Sequence, residues 1–152
     1  MPVTFATEQW PDCLPELVQL WPAHWHEVAM HQDRIPLDPN YVEYERAYGS
    51  GQLHLTAVRD QGRLVGYLTA IVRPHLHYAH SLSAFYDLYY VLPSHRRGMV
   101  GVRLFTEAEK ALKARGVERL FTGTKLSKDA SAIFERLGWE PAERLFVKWI
   151  GD

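Results

Sequence analysis

The chain has 152 residues, 23% charged and 47% apolar, with 17 Lys or Arg against 18 Asp or Glu; this fits one globular domain over 1–152 with a real core, and a formal charge of −1 implies no broad affinity for nucleic acid or membrane surfaces. Cys13 is the single cysteine, so an internal disulfide is excluded and a reducing compartment is suited. The opening "MPVTFATEQWPD" lacks the basic stretch and apolar core of a signal peptide, and no apolar run has transmembrane length, so the expectation is a soluble, cytoplasmic protein.

From Leu14 to about Met30 apolar residues recur at helical spacing, interrupted by Pro22, which predicts two short helices. "IPLDPN" reads as a loop, with Asp38 or Asn40 as cap for a helix through "YVEYERAYG" ending near Gly49. "LHLTAVRDQGRLVGYLTAIV" predicts a strand, a turn at "DQGR" and a second strand. "RPHLHYAHSLS" reads as a long polar connection, and "AFYDLYYVL" as a strand rich in aromatics. A helix follows from Gly98 to Arg115, with Val100, Leu104, Ala108, Ala111 and Leu112 on one face and Gly116 as its C-cap. "VERLFTGTK" predicts a strand, "KDASAIFERLG" a helix, and "RLFVKWI" a final strand. Helices, antiparallel strands, then strand–helix–strand–helix–strand make a mixed α/β sheet layered with helices.

The segment "YYVLPSHRRGMVGVRLF" carries the first chemical signal. A strand ends at Leu92, and a loop with Arg96, Arg97 and Gly98 feeds a helix N-terminus. Free N–H groups and the positive end of the helix dipole make an anion site there. Gly98 allows close approach to the main chain, and the two arginines suit phosphate oxygens. A pyrophosphate is the natural occupant; a solvated basic loop is the bland alternative. The chain contains neither GxxxxGK[ST] nor GxGxxG.

In order and position the segments from 50 to 150 resemble the GNAT N-acetyltransferase superfamily. Its R/Q-x-x-G-x-G/A loop is matched by His95, Arg96, Arg97, Gly98, Met99 and Val100, with His in the first place, Val in the last, and Gly101 one residue later. Its N-x-x-A-x-x-x-Y-x-x-x-G-F signature is matched by "SKDASAIFERLGW", with Ser127, Ala130, Phe134, Gly138 and Trp139 at the key positions. "RRGMVGVRLF" also resembles phage- or prophage-borne members.

The resemblance implies a mostly antiparallel sheet of six or seven strands flanked by helices, with a splayed central pair. It implies acetyl-CoA as co-substrate, lying where the fourth and fifth strands part. The pantetheine would pair with the edge near Val91 and Leu92, and the pyrophosphate would sit on the amides of Arg96, Arg97, Gly98, Met99, Val100 and Gly101, with Ser127 and Phe134 as further cofactor contacts. An acceptor amine would attack the thioester directly, with no covalent enzyme intermediate, which leaves Cys13 as a small buried hydrophobe. Asp87, four residues before Val91 in the V-x-P pattern, takes the place of the base or amine anchor, and its charge in an apolar strand is costly without a task. An edge-strand Asp facing solvent is the bland alternative. The family's acid tyrosine is Phe134 here, so Tyr89 or Tyr90 would donate the proton, or none is needed, since a thiol of pKa about 8.5 is already a fair leaving group.

"HWHEVAMH" fails the HExxH spacing, because His31 follows His26 by five residues. His75, His77 and His80 lack a carboxylate or cysteine to complete a metal site, and no metal is expected. Trp21, Trp25, Tyr41 and Tyr44 read as packing aromatics, and Glu27, Glu43 and Glu45 as solvated faces. Aromatic rings interleaved with acids also suit a cationic amine of the polyamine, aminoglycoside or lysine kind. The alternatives to catalysis are a CoA-binding regulatory module and a partner-binding protein of phage origin. A homodimer is compatible with each reading.

Overall fold

The computed structural model describes residues 2–152 and divides into two units, one reaching Thr122 and one starting at Gly123. The first contains β1 (Thr4–Thr7), α1 (Trp10–Val28), α2 (Tyr41–Gly49), β2 (Leu53–Asp60), β3 (Arg63–His75), β4 (Tyr78–Val91), a 3₁₀ turn (Pro93–His95), α3 (Val100–Ala114) and β5 (Val117–Phe121). The second contains α4 (Ser131–Arg136). Among the described residues no helix is long and apolar enough to cross a membrane.

The strands form one sheet in the order β1-β2-β3-β4-β5, antiparallel except for the parallel pair β4–β5. α1 and α2 cover one face. Trp10, Cys13, Leu17 and Trp21 of α1 and Ala47 of α2 pack there on Leu53, Leu55, Ala57, Leu64, Tyr67 and Tyr90. α3 covers the other face, where its Phe105 meets Tyr86 and Tyr89 of β4 at 6.4 and 5.2 Å between ring centres. The Gln61–Gly62 turn that joins β2 to β3 has both residues at positive φ, 50° and 81°, the geometry that matches the twist of a tight hairpin.

Several elements differ from the sequence reading. α1 does not break at Pro22. Its buried residues Trp10, Cys13, Leu17, Trp21 and His24 form one helical stripe, while Pro15 and Pro22 lie two turns apart on the exposed side, where water can satisfy the carbonyls they leave. The polar stretch from Arg73 is no long connection; β3 and β4 continue their ladder through Arg73↔Ser83 and Pro74↔Leu82 and reverse around Leu76. Pro74 is tolerated because β2 ends opposite Ile71, so β3 is an edge there.

Among the described residues the sheet has five strands, not six or seven, and β1 was unforeseen. Residues 141–152 form no regular element, so "RLFVKWI" is not a strand: it has the alternation of one but no ladder partner, and Leu145 and Phe146 are 90% and 88% exposed. β5, not a seventh strand, closes the sheet beside β4.

Candidate active site

β4 changes phase at Asp87. Along the ladder Thr69 faces Leu88 and Ala70 faces Tyr86, so Asp87 is an extra residue, a β-bulge. Tyr86 and Tyr89 face α3, whereas Leu88 and Tyr90 face the core under α1 and α2. The bulge therefore puts two consecutive residues, Asp87 and Leu88, on the α1/α2 face. Its effect is felt at Tyr44 of α2, whose hydroxyl is pushed up to about 12 by burial and then by the charge of Asp87. Tyr44 stacks on Trp10 at 5.4 Å and on Trp21 at 5.5 Å, and Tyr41 lies 6.3 Å from Trp21. Asp87 reaches solvent at the mouth of this aromatic wall, yet protein surrounds it on the inner sides, and desolvation raises its pKa.

The same strand carries an open edge. β4 and β5 pair from Leu82↔Val117 only to Phe85↔Phe121, where the two rings stack at 5.0 Å; from there to Val91 β4 is paired with β3 alone, so its other edge is open, as the expected splay requires. The groups on that edge alternate. Leu92 N–H turns inward and donates to Val65 C=O at 2.8 Å, so Val91 directs its polar groups outward, and its carbonyl accepts from Arg96 Nε at 2.8 Å. Of the two residues expected to face pantetheine, Val91 alone points that way.

The loop after β4 is stiffened by its own side chains. His95 lies 2.8 Å from Ser94 Oγ and 3.0 Å from Asp60 Oδ2. Arg96 forms a fork with Glu27 of α1, Nη1 and Nη2 each 2.7 Å from a carboxylate oxygen. Its guanidinium thus faces an acid of the protein, while Arg97 is exposed. Gly98 has φ +74° and open space where a Cβ would be. Met99 precedes the first helical residue, Val100, and caps it with no side-chain hydrogen bond, so the first-turn amides at Val100 and Gly101 face outward uncapped. Gly101 likewise has open space around an added Cβ. An anion has the room and the donors it needs at this turn.

The remaining candidates are dispersed. Tyr89 lies on the face opposite Asp87, edge-on to Phe105. In the second unit Ser127 is exposed in a turn between Lys125 and Lys128, and Phe134 is buried with its ring 5.3 Å from Trp139. Cys13 is fully buried, and burial pushes its thiol up to about 12, so it is no nucleophile. The sequence reading took Glu27 as a solvated face and Tyr44 as packing, with an acceptor surface for a cationic amine as the alternative for both, and missed the pairing of Glu27 with Arg96, 69 residues away.

The fold that holds this bulged strand, its open edge and the turn beyond it is shared with known proteins. Over 78 residues the chain is 36% identical to aminoglycoside N(6')-acetyltransferase type 1 of Klebsiella aerogenes, a match spanning 51% of each protein and thus about half the length of that relative. An aminoglycoside acetyltransferase, HMB0005, from an uncultured soil metagenomic sample has the same fold, with TM-score 0.78, 17% identity, and coverage of 99% of this chain and 100% of its own. So has AAC(6')-Iy, solved with a bisubstrate analogue, CoA-S-monomethyl-acetylneamine, with TM-score 0.75, 18% identity and full coverage of both chains (100%). The profile of the Acetyltransferase (GNAT) family matches residues 7–139, through the bulged strand, the loop and the helix that follows, and the chain belongs to that family.

Proposed function

We propose that this chain, acting as one domain over 1–152, moves the acetyl group of acetyl-CoA to a primary amine of a cationic small molecule of the polyamine or aminoglycoside type. The observation that carries the reading is the bulge: it sets Asp87 against the aromatic wall of Tyr44, Trp21 and Tyr41, on the strand whose far end leads to the anion-binding turn. The distance from Asp87 to Val91 along an extended strand is about 13 Å, the scale of a pantetheine arm. The partial identity to an aminoglycoside acetyltransferase supports the acceptor class. Supply of acetyl-CoA favours a cytoplasmic setting.

The chemistry follows from these placements. Asp87 and the ring faces hold the acceptor as an ammonium ion. The amine, of pKa about 10, loses a proton before attack, toward Asp87 or through water beside it. Its lone pair forms the C–N bond to the thioester carbonyl, the C–S bond breaks, and CoA leaves as thiolate, which takes the remaining extra proton of the new amide nitrogen directly or through water. Backbone N–H groups of the open β4 edge stabilise the oxyanion. The amides from Arg96 to Gly101 hold the pyrophosphate, and Val91 pairs with the pantetheine. Tyr89 or Tyr90, nearest to the strand end in sequence, would supply a proton to the departing sulfur, although a thiolate leaves without one.

The test is release of CoA from acetyl-CoA across aminoglycosides, polyamines and lysine peptides. Aminoglycoside- or polyamine-dependent release is expected, together with loss of CoA binding in Gly98→Asp. Gly98→Ala shares the backbone strain without the charge and should retain most binding. Release driven only by peptides would overturn the acceptor class, and release driven by no amine would overturn the activity.

A further inference from the structure

Arg96 joins the two sides of the proposed site through a single side chain. Its Nε donates to Val91 C=O at the end of β4, and its two Nη groups donate to the two carboxylate oxygens of Glu27 in the last turn of α1. Its guanidinium carbon lies 5.3 Å from the centre of the Tyr90 ring. Tyr90 stacks on His24 of α1 at 4.7 Å, and His24 Nδ1 lies 2.7 Å from Tyr67 Oη. The edges and one face of the guanidinium are therefore occupied by protein, and the ion pair is partly shielded, with side-chain exposures of 37% and 20%.

We infer that Arg96 is a positioning residue: through Glu27 it locks the phosphate loop to the helix that carries the acceptor wall, so that filling the loop orders the acceptor side. This rests on the acetyl-transfer reading. Two covalent continuities give the lock its reach. Arg96 lies two residues before Gly98 and three before Met99, so its placement fixes the amides that would meet the pyrophosphate. Glu27 stands one residue from the end of α1, and the chain beyond it leads to α2 with Tyr41 and Tyr44. A planar fork can hold both directions at once, which a lysine ammonium cannot. The sequence reading, in which Arg96 supplies charge to phosphate, makes a different prediction.

The two roles separate by CoA titration calorimetry at several salt concentrations. For a lock, Glu27→Ala and Arg96→Ala each weaken CoA binding by about tenfold, and the double variant is no weaker than either single one, because both changes remove one interaction. The salt dependence of binding stays at the wild-type slope in all three and falls only in Arg97→Ala, whose exposed side chain adjoins the loop amides in sequence. Glu27→Gln, which keeps the shape, and Arg96→Lys, which keeps the charge, show the same order at smaller size and guard against simple misfolding. In parallel, CoA slows amide exchange across residues 26–35 of the wild-type protein but not of Glu27→Ala.

If Glu27→Ala binds CoA as well as or better than wild type, while Arg96→Ala loses both affinity and salt slope, Arg96 is a phosphate ligand and the inference fails. Unchanged exchange at 26–35 on adding CoA to wild type also overturns it. Wild-type protein that binds no CoA overturns the acetyl-transfer reading itself, which is a different result from an inert Glu27→Ala change.

Discussion

His95 Nε2 lies 3.0 Å from Asp60 Oδ2, and this contact ties the turn after β4 to the end of β2. The residue that departs from the family pattern at the first loop position thus acts as an anchor within the protein. Asp60→Ala should loosen the turn and weaken CoA by roughly fivefold, the scale of one partly exposed charge-assisted hydrogen bond, with little change in Tm. Calorimetry with CoA and a thermal melt check both parts; an unchanged Kd would show that the turn holds its shape without the tie.

Asp87 makes two predictions of opposite sense. Its pKa is raised by desolvation, so below the ordinary carboxylate range both folded and unfolded chains carry it protonated and no penalty exists. As pH rises through the raised folded value, the unfolded chain ionises more readily and the carboxylate costs stability. Asp87→Asn should therefore melt higher than wild type at pH 7 and equal to it near pH 3. The same variant should lower kcat by roughly a hundredfold if Asp87 takes the proton, or chiefly raise KM for the amine if it only anchors it. A variant that gains no Tm and loses no activity would remove Asp87 from the site.

Gly66 supports the strand end that carries Val91. An added Cβ would lie 2.9 Å from Tyr90 C=O, 3.1 Å from Val91 Cγ2 and 3.3 Å from Val58 Cγ2, and backbone cannot swing aside as a side chain can. Gly66→Ala should cost about 2 kcal/mol, in the range for overpacked cores. Denaturant melts measure it, and CoA binding should weaken in step, because β3 must move away from β4.

His54 sets an acid limit. It is 1% exposed, and burial, then the charge of Arg115, lowers its pKa to about 4. Above its unfolded value of about 6.5 the neutral ring costs nothing; as pH falls the unfolded chain takes the proton and the folded one does not. Stability should drop between about pH 6.5 and 4, by a maximum on the order of 3 kcal/mol. In His54→Gln this part of the pH dependence should flatten, as read from urea midpoints across that range.

Much of this was legible wherever a local rule decides. The Gln61–Gly62 hairpin and the apolar stripe of α3 are local matters that the sequence reading located, and of its two cap candidates, Asp38 and Asn40, Asn40 caps α2, its Oδ1 accepting from Glu43 N–H at 3.2 Å. Asp87 stood out because a charge in an apolar strand needs a reason. What escaped was settled at a distance. α1 survives two prolines because its buried stripe is long enough to outweigh them, which only the packed partner reveals. β1 is four residues on a sheet edge, too short for a pattern. The bulge depends on register against β3, and the fork between Arg96 and Glu27 joins residues that no spacing rule relates.

The extra residue in β4 has a consequence for how this protein can change. With position 87 removed, Tyr86, Leu88, Tyr89 and Tyr90 would still alternate between the two layers as they do now. Position 87 is therefore an insertion that the alternation of the strand does not require, and its carboxylate acts on Tyr44 of one layer only. On the proposed reading, a change of side chain at 87 alters the acceptor site while the β3–β4 ladder on either side of it stays in register. In lineages under shifting chemical pressure, that one loose stitch is where new selectivity can arise at the least cost to folding.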